Sequence, residues 1–148
     1  MIKTIICSLI FFNLSVFSQT NDAAFNTFFQ KFKTAVNDNN IAEISELTNF
    51  PFIFSWQNFS QTELSREEFL ANPYLPENTV LQKAKFNKSV KIKQSKSESE
   101  TVNFIFKEDF YIISFDFYSN IDQAGGYSEY YFGLIKDEYK YIKVISGD

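Results

Sequence analysis

The chain has 148 residues and carries 18 acidic against 14 basic side chains, a net charge of −4. Hydrophobic residues make up 45% and charged residues 22%, a balance that excludes a disordered chain or a collagen-like repeat and suits one globular domain. Histidine is absent and Cys and Met occur once each, whereas aromatic residues reach 19%.

The first residues read as an address. Lys3 precedes an apolar stretch from Ile5 to Leu14, and Val16-Phe17-Ser18 places small or branched residues before Gln19. That is the anatomy of a secretory signal peptide over residues 1–18, cleaved between Ser18 and Gln19, with a single domain over 19–148. The apolar run is shorter than the ~20 residues of a spanning helix, which weighs against an uncleaved anchor. Cys7 lies before the apolar run is complete, which weighs against a lipoprotein. Cleavage would remove Met1, Lys3 and Cys7, leaving 13 basic against 18 acidic residues, a net −5. Such a mature chain cannot form a disulfide, and ordinary zinc, copper and haem sites are excluded with it. So are Ser-His-Asp and Cys-His nucleophile systems. No cofactor is expected, and the destination is the periplasm or the outside of the cell.

Phe25, Phe28, Phe29, Phe32, Ala35 and Val36 form a helical stripe, which predicts a helix from about Asp22 to Asn37. Asp38-Asn39-Asn40 breaks it. Asn40 and Glu43 have capping spacing, and Ile41, Ile44 and Leu47 make a second, shorter stripe. Phe50 to Trp56 reads as a strand with Phe52, Phe54 and Trp56 on one side and Pro51 at its start or on a sheet edge. Ser65 to Glu68 is a capping box that should start a short helix from Arg66 to about Ala71, ahead of a Pro73–Pro76 connector.

From Lys88 the hydrophobic period becomes two. Strands are predicted over Lys88–Gln94, around Val102, Phe104 and Phe106, and over Phe110–Tyr118, Tyr127–Ile135 and Tyr139–Ile145. Glu108-Asp109 and Lys136-Asp137-Glu138 supply tight turns, and Asn120 to Gly126 a looser one. Helices first and a long antiparallel meander afterwards imply an α+β domain with the helices on one sheet face.

Three segments carry a resemblance: Phe25-x-x-Phe28-Phe29-x-x-Phe32, the Asn40-led helix ending at Phe50-Pro51, and Tyr131-Phe132 followed by Lys136-Asp137-Glu138-Tyr139-Lys140-Tyr141-Ile142. Together they resemble the nuclear transport factor 2-like superfamily, a cystatin-like α+β cone, with Glu138 where that family often has Gly. The resemblance implies a curved sheet and helices enclosing a pocket, used by some members for catalysis and by many for binding alone.

Asp116 sits in a strongly aromatic strand, where burial in an apolar cavity would suit it to proton transfer with a partner such as Tyr118, Tyr130 or Tyr131. The blander reading, a solvated strand face with a lysine partner, carries more weight. Glu129 would lie near Asp116 if the two strands pair through the Asn120–Gly126 loop, and two close carboxylates would raise one pKa or bind a cation. Lys83, Lys85, Lys88, Lys91, Lys93 and Lys96 could meet an anionic partner, but lysines also protect an edge strand from aggregation. Tyr127, Tyr130, Tyr131, Tyr139 and Tyr141, with Trp56 nearby, are candidates for a ligand or partner surface, or simply for core. No glycine-rich phosphate loop and no metal-ligand spacing is present.

These features converge on an exported, non-catalytic binding or interaction module. It would take a small apolar or sugar-like ligand, or a protein partner, through an aromatic sheet face or pocket, with Trp56, Tyr127, Tyr130 and Tyr131 as the contact residues. A homodimer is a further use of the same face; nucleic acid and a membrane span after cleavage are not expected. The rival is a cofactor-free isomerase or dehydratase with Asp116 as general base and a tyrosine as hydrogen-bond donor.

Overall fold

The structure is a computed structural model that describes the backbone of residues 6–57 and 60–148, and the side chains from Asp22 onward apart from 58 and 59. The expected leader and its cleavage point therefore lie outside the residues whose side chains are described. Helix α1 spans Ile6–Asn37, so it begins well before the predicted Asp22. Neither Pro nor Gly interrupts residues 6–37, and nothing at Asp22 stops the helix from extending back. Its end is as predicted: Asn39 adopts a left-handed φ of 53° and closes the last turn. Asn40 then caps α2 (Ile41–Glu46), its Oδ1 accepting from the Glu43 N–H at 3.2 Å.

Strands β1 (Thr48–Trp56) and β2 (Ser60–Leu64) form a hairpin, followed by α3 (Arg66–Ala71) and α4 (Asn78–Lys83). The Ser65–Glu68 capping box opens α3, with both reciprocal hydrogen bonds present. Strands β3 (Lys88–Gln94), β4 (Glu98–Lys107), β5 (Phe110–Ser119), β6 (Ala124–Ile135) and β7 (Glu138–Gly147) complete the chain. Among the described residues the seven strands make one sheet in the order β2-β1-β7-β6-β5-β4-β3. The last five form the predicted antiparallel meander, and β1 returns to lie parallel to β7. The turns at Glu108-Asp109 and Lys136-Asp137 place both central residues at positive φ, which matches the twist of two-residue hairpins. This is the α+β architecture, with helices gathered on one face.

Pro51 departs from expectation. It lies three residues inside β1, an interior strand, rather than at a strand start or on a sheet edge. The pairing of β1 with β7 is irregular between Thr48 and Ile53, so no ladder hydrogen bond is demanded of the residue that lacks an N–H. Strand β2 and helix α4 have no counterpart among the predicted elements; both are short, and neither shows a clean period.

The core is built from rings. Phe25 stacks on Tyr111 at 3.5 Å with planes 3° apart, and Phe32 meets Phe132 at 5.2 Å and Tyr141 at 5.3 Å. Phe32, Phe52, Phe69, Phe132 and Tyr141 are fully buried, each worth about 1.5–3 kcal/mol by area removed from water. Phe25 against Phe104 and Tyr111, and Phe32 against Phe132 and Tyr141, fix α1 across β4–β7, and that defines an inner face carrying the helices and an outer face that does not. Strand β3, with Lys88, Lys91 and Lys93, is a sheet edge, where lysines deter further strand pairing.

Candidate functional site

Alternation along each strand sorts the aromatic residues between the two faces. On the inner face one row runs Phe54, Val144, Tyr130, Ile113 and Phe104 across β1, β7, β6, β5 and β4. The next row toward the β5–β6 turn runs Trp56, Ser146, Ser128, Phe115 and Val102. Beyond it Gly126 faces Phe117. The helices cover the first row and leave the far end open: Trp56 is 42% and Phe117 48% exposed, although both sit on the helix-bearing face. Trp56 and Phe117 are thus large apolar side chains left exposed on the inner face, as is Phe106 at its opposite end, 51% exposed.

Local sequence holds this floor in place. A Cβ on Gly126 would stand 2.7 Å from the Phe117 ring, so only glycine lets that ring lie across β6. Phe115 and Phe117 follow at 6.2 Å between ring centres. At the β1 side Phe54 stacks on Tyr74 at 4.3 Å, with planes 22° apart. Tyr74 is in turn held by its main-chain carbonyl, which accepts from the Tyr141 phenol at 2.6 Å.

Hydroxyl groups break the apolar floor. Ser128 and Ser146 face each other across the β6–β7 ladder with their oxygens 2.9 Å apart. Burial pushes the Tyr130 phenol above its ordinary pKa, a hydrogen bond from Ser128 works the other way, and the negative charge of Glu77 adds to the rise. Tyr130 therefore stays uncharged at physiological pH. Aromatic planes beside a few fixed hydroxyls suit an apolar ring, or a sugar with its C–H face on the ring and its hydroxyls on the serines. Neither serine has a histidine to activate it, since the chain contains none.

The predicted contact residues do not form one surface. Trp56 and Tyr130 belong to the inner face, but Tyr127 and Tyr131 belong to the outer one, because 127 and 131 differ from 130 by an odd number of positions. Tyr131 donates to Glu129 at 2.6 Å, and the Lys143 ammonium lies 4.1 Å from its ring centre. Burial first and the Glu129 hydrogen bond second hold its phenol well above the ordinary range. Tyr141 is core, and Tyr139 packs against Phe25 and Phe28.

Asp116 lies on the exposed outer face rather than in an apolar cavity. Its Oδ2 accepts from Asn103 at 3.1 Å and from Ser114 at 3.2 Å, so amide and hydroxyl donors stand where a lysine was expected. Tyr118, on the same face, is 45% exposed. Asp116 pairs with Tyr127, whereas Glu129 pairs with Ser114, so the two carboxylates share a face but are offset by two residues rather than opposed. Among the described residues no cluster of three or more acidic, Cys or His side chains is placed to hold a metal ion.

Phe115, Phe117, Ser128, Ser146 and Tyr74 belong to the site without having been singled out as contact residues. The two phenylalanines were legible as the strand face opposite Asp116. Nothing in the sequence distinguishes the two serines.

No protein-family model matches the chain, and no curated protein matches it. Solved structures do. The chain is similar to an NTF2-like protein from Cytophaga hutchinsonii, with 12% identity over 85% of this chain and 96% of that one and a TM-score of 0.44. It is also similar to an NTF2-like protein with a cystatin-like fold from Novosphingobium aromaticivorans, with 7% identity over 91% and 87% of the two chains and a TM-score of 0.46. A third is an NTF-2 like protein of unknown function from Shewanella oneidensis, with 12% identity over 86% and 99% and a TM-score of 0.43. Among the described residues no helix is long and apolar enough to cross a membrane.

Proposed function

We propose that this chain is an exported, non-catalytic binding module whose ligand rests on the uncovered end of the inner sheet face. The observation that carries the reading is the exposure of Trp56 and Phe117 on the helix-bearing face, on either side of the Ser128–Ser146 hydroxyl pair. An elongated apolar or sugar-like ligand lying across β7 and β6, from Trp56 on β1 to Phe117 on β5, covers both aromatic side chains and meets hydroxyls it can hydrogen-bond. Export rests on the leader anatomy of residues 1–18.

Intact mass tests this with protein taken from its own host, without refolding, recorded first under native and then under denaturing conditions. The native spectrum should carry an excess mass that is released on denaturation and is missing from the Trp56→Ala protein. The denatured mass should begin at Gln19, and the native mass also reads any self-association. A native mass without excess, or an excess that survives Trp56→Ala unchanged, contradicts the binding site; a chain retaining residues 1–18 contradicts export.

A further inference from the structure

A second cavity, of about 220 Å³, lies against the middle of α1, between that helix and the start of β5. Among the described residues its walls are Phe25, Phe29, Phe86, Phe104 and Tyr111, and its one ionisable carboxyl is Asp22. Phe104 crosses Phe25 at 62°, Phe29 at 50°, Phe86 at 72° and Tyr111 at 64°. Phe25 and Tyr111 cover one another at 3.5 Å, so a lodged group meets ring surface chiefly from Phe29, Phe86 and Phe104, the last standing steeply to the other two. The carboxylate is fixed by a 2.5 Å hydrogen bond from the Tyr111 phenol. Asn26, one helical turn after Asp22, adds an amide to the same wall.

From this geometry we infer that the cavity is a binding site for a small organic ammonium ion bearing an apolar substituent. The faces of aromatic rings attract cations, and Asp22 supplies the opposing charge. An anion would face the Asp22 carboxylate, and an uncharged ring would gain contact but leave the charge unused. Size agrees, since an engineered cavity of about 150 Å³ holds benzene, leaving room here for a ring with a short aminoalkyl arm. This site is separate from the Trp56 floor and does not depend on it.

Calorimetric titration of the full chain with phenethylammonium, 2-phenylethanol and 3-phenylpropionate tests the assignment. The ammonium should bind most tightly of the three. Asp22→Asn should weaken it by about tenfold while leaving the alcohol unchanged, and Trp56→Ala should alter neither. Circular dichroism of Asp22→Asn checks that the fold is kept, and Asp22→Glu, which retains the charge, should keep most of the affinity. Equal affinity for all three compounds, no binding of the ammonium at millimolar concentration, or an Asp22→Asn protein that binds it as well as the parent would each overturn the proposal.

Discussion

The Tyr141 phenol donates a 2.6 Å hydrogen bond to the main-chain carbonyl of Tyr74, tying the middle of β7 to the connector that follows α3. Tyr141 is fully buried, and Tyr74 stacks on Phe54, two residues before Trp56 in β1. A core side chain thus positions one flank of the candidate site. Tyr141→Phe keeps the ring and removes the donor, leaving the Tyr74 carbonyl without its partner. The expected loss is about 1–3 kcal/mol, read as a lower urea midpoint at unchanged slope. An unchanged midpoint would show that the bond does not hold the connector.

The aromatic core sets a second expectation. Phe132 is fully buried and its ring meets those of Phe25, Phe28, Phe29, Phe32 and Tyr141. Phe132→Ala should cost about 3–5 kcal/mol, a large share of the stability of a domain this size. Phe132→Leu, which refills most of the volume, should cost much less. Equal losses in the two variants would mean that the surrounding rings collapse to fill either gap.

Helix α3 depends on its cap. Ser65 Oγ accepts from the Glu68 N–H at 3.3 Å, and the Glu68 carboxylate accepts from the Ser65 N–H at 2.7 Å. Ser65→Ala should lower stability by about 1 kcal/mol. The Ser65 main-chain and side-chain hydrogen bonds also hold the Glu68 carboxyl below its ordinary pKa. A lowered folded pKa stabilises above the unfolded value, near 4.5, and that increment disappears as pH falls through the folded one. Ser65→Ala keeps the main-chain donor and removes only the side-chain part of that increment, so the gap between parent and variant should narrow modestly on acidification; a gap that widens would contradict the box.

Alkali should act through the phenols. Burial is the leading cause holding Tyr111, Tyr130, Tyr131, Tyr139 and Tyr141 above the ordinary value of 10.0. A raised folded pKa gives stability that is complete below the unfolded pKa and is lost as pH rises through the folded one. Stability should hold through neutral pH and fall once pH passes about 10. Phenolate absorbance should then rise together with the loss of ellipticity. Full phenolate absorbance while the fold persists would contradict the burial of these groups.

Asp116→Asn is expected to be silent. The carboxylate is exposed and bonded only to Asn103 and Ser114 in the described contacts. Stability should move by less than about 0.5 kcal/mol, and binding at the inner face should be unaffected. Loss of a ligand or of turnover in this variant would return attention to the outer face.

Most of the fold was legible because its signals are local. The Phe25–Val36 stripe, the Ser65–Glu68 box and the alternation after Lys88 each fix an element from its own residues. Pro51 misled because its meaning depends on an irregular pairing with β7, which no local pattern contains. The site was half legible: alternation puts Phe115 and Phe117 opposite Asp116, but only the register across β1, β7 and β6 brings Trp56 to Ser146 and Ser128. The same register divides Tyr130 from Tyr127 and Tyr131, which closeness in sequence had joined. Which face carries helices and where they stop is long-range information, and the exposure of Trp56 follows from it.

The most direct measurement uses Trp56, the only tryptophan in the chain. Its emission is followed while N-phenylnaphthylamine, as an uncharged apolar probe, and cellohexaose, as a sugar probe, are titrated into the parent, Phe117→Ala and Tyr131→Ala proteins. Saturable change with at least one probe, lost in Phe117→Ala and kept in Tyr131→Ala, is the predicted result. No saturable change with either probe, or equal loss in both variants, would contradict a binding site on the inner face.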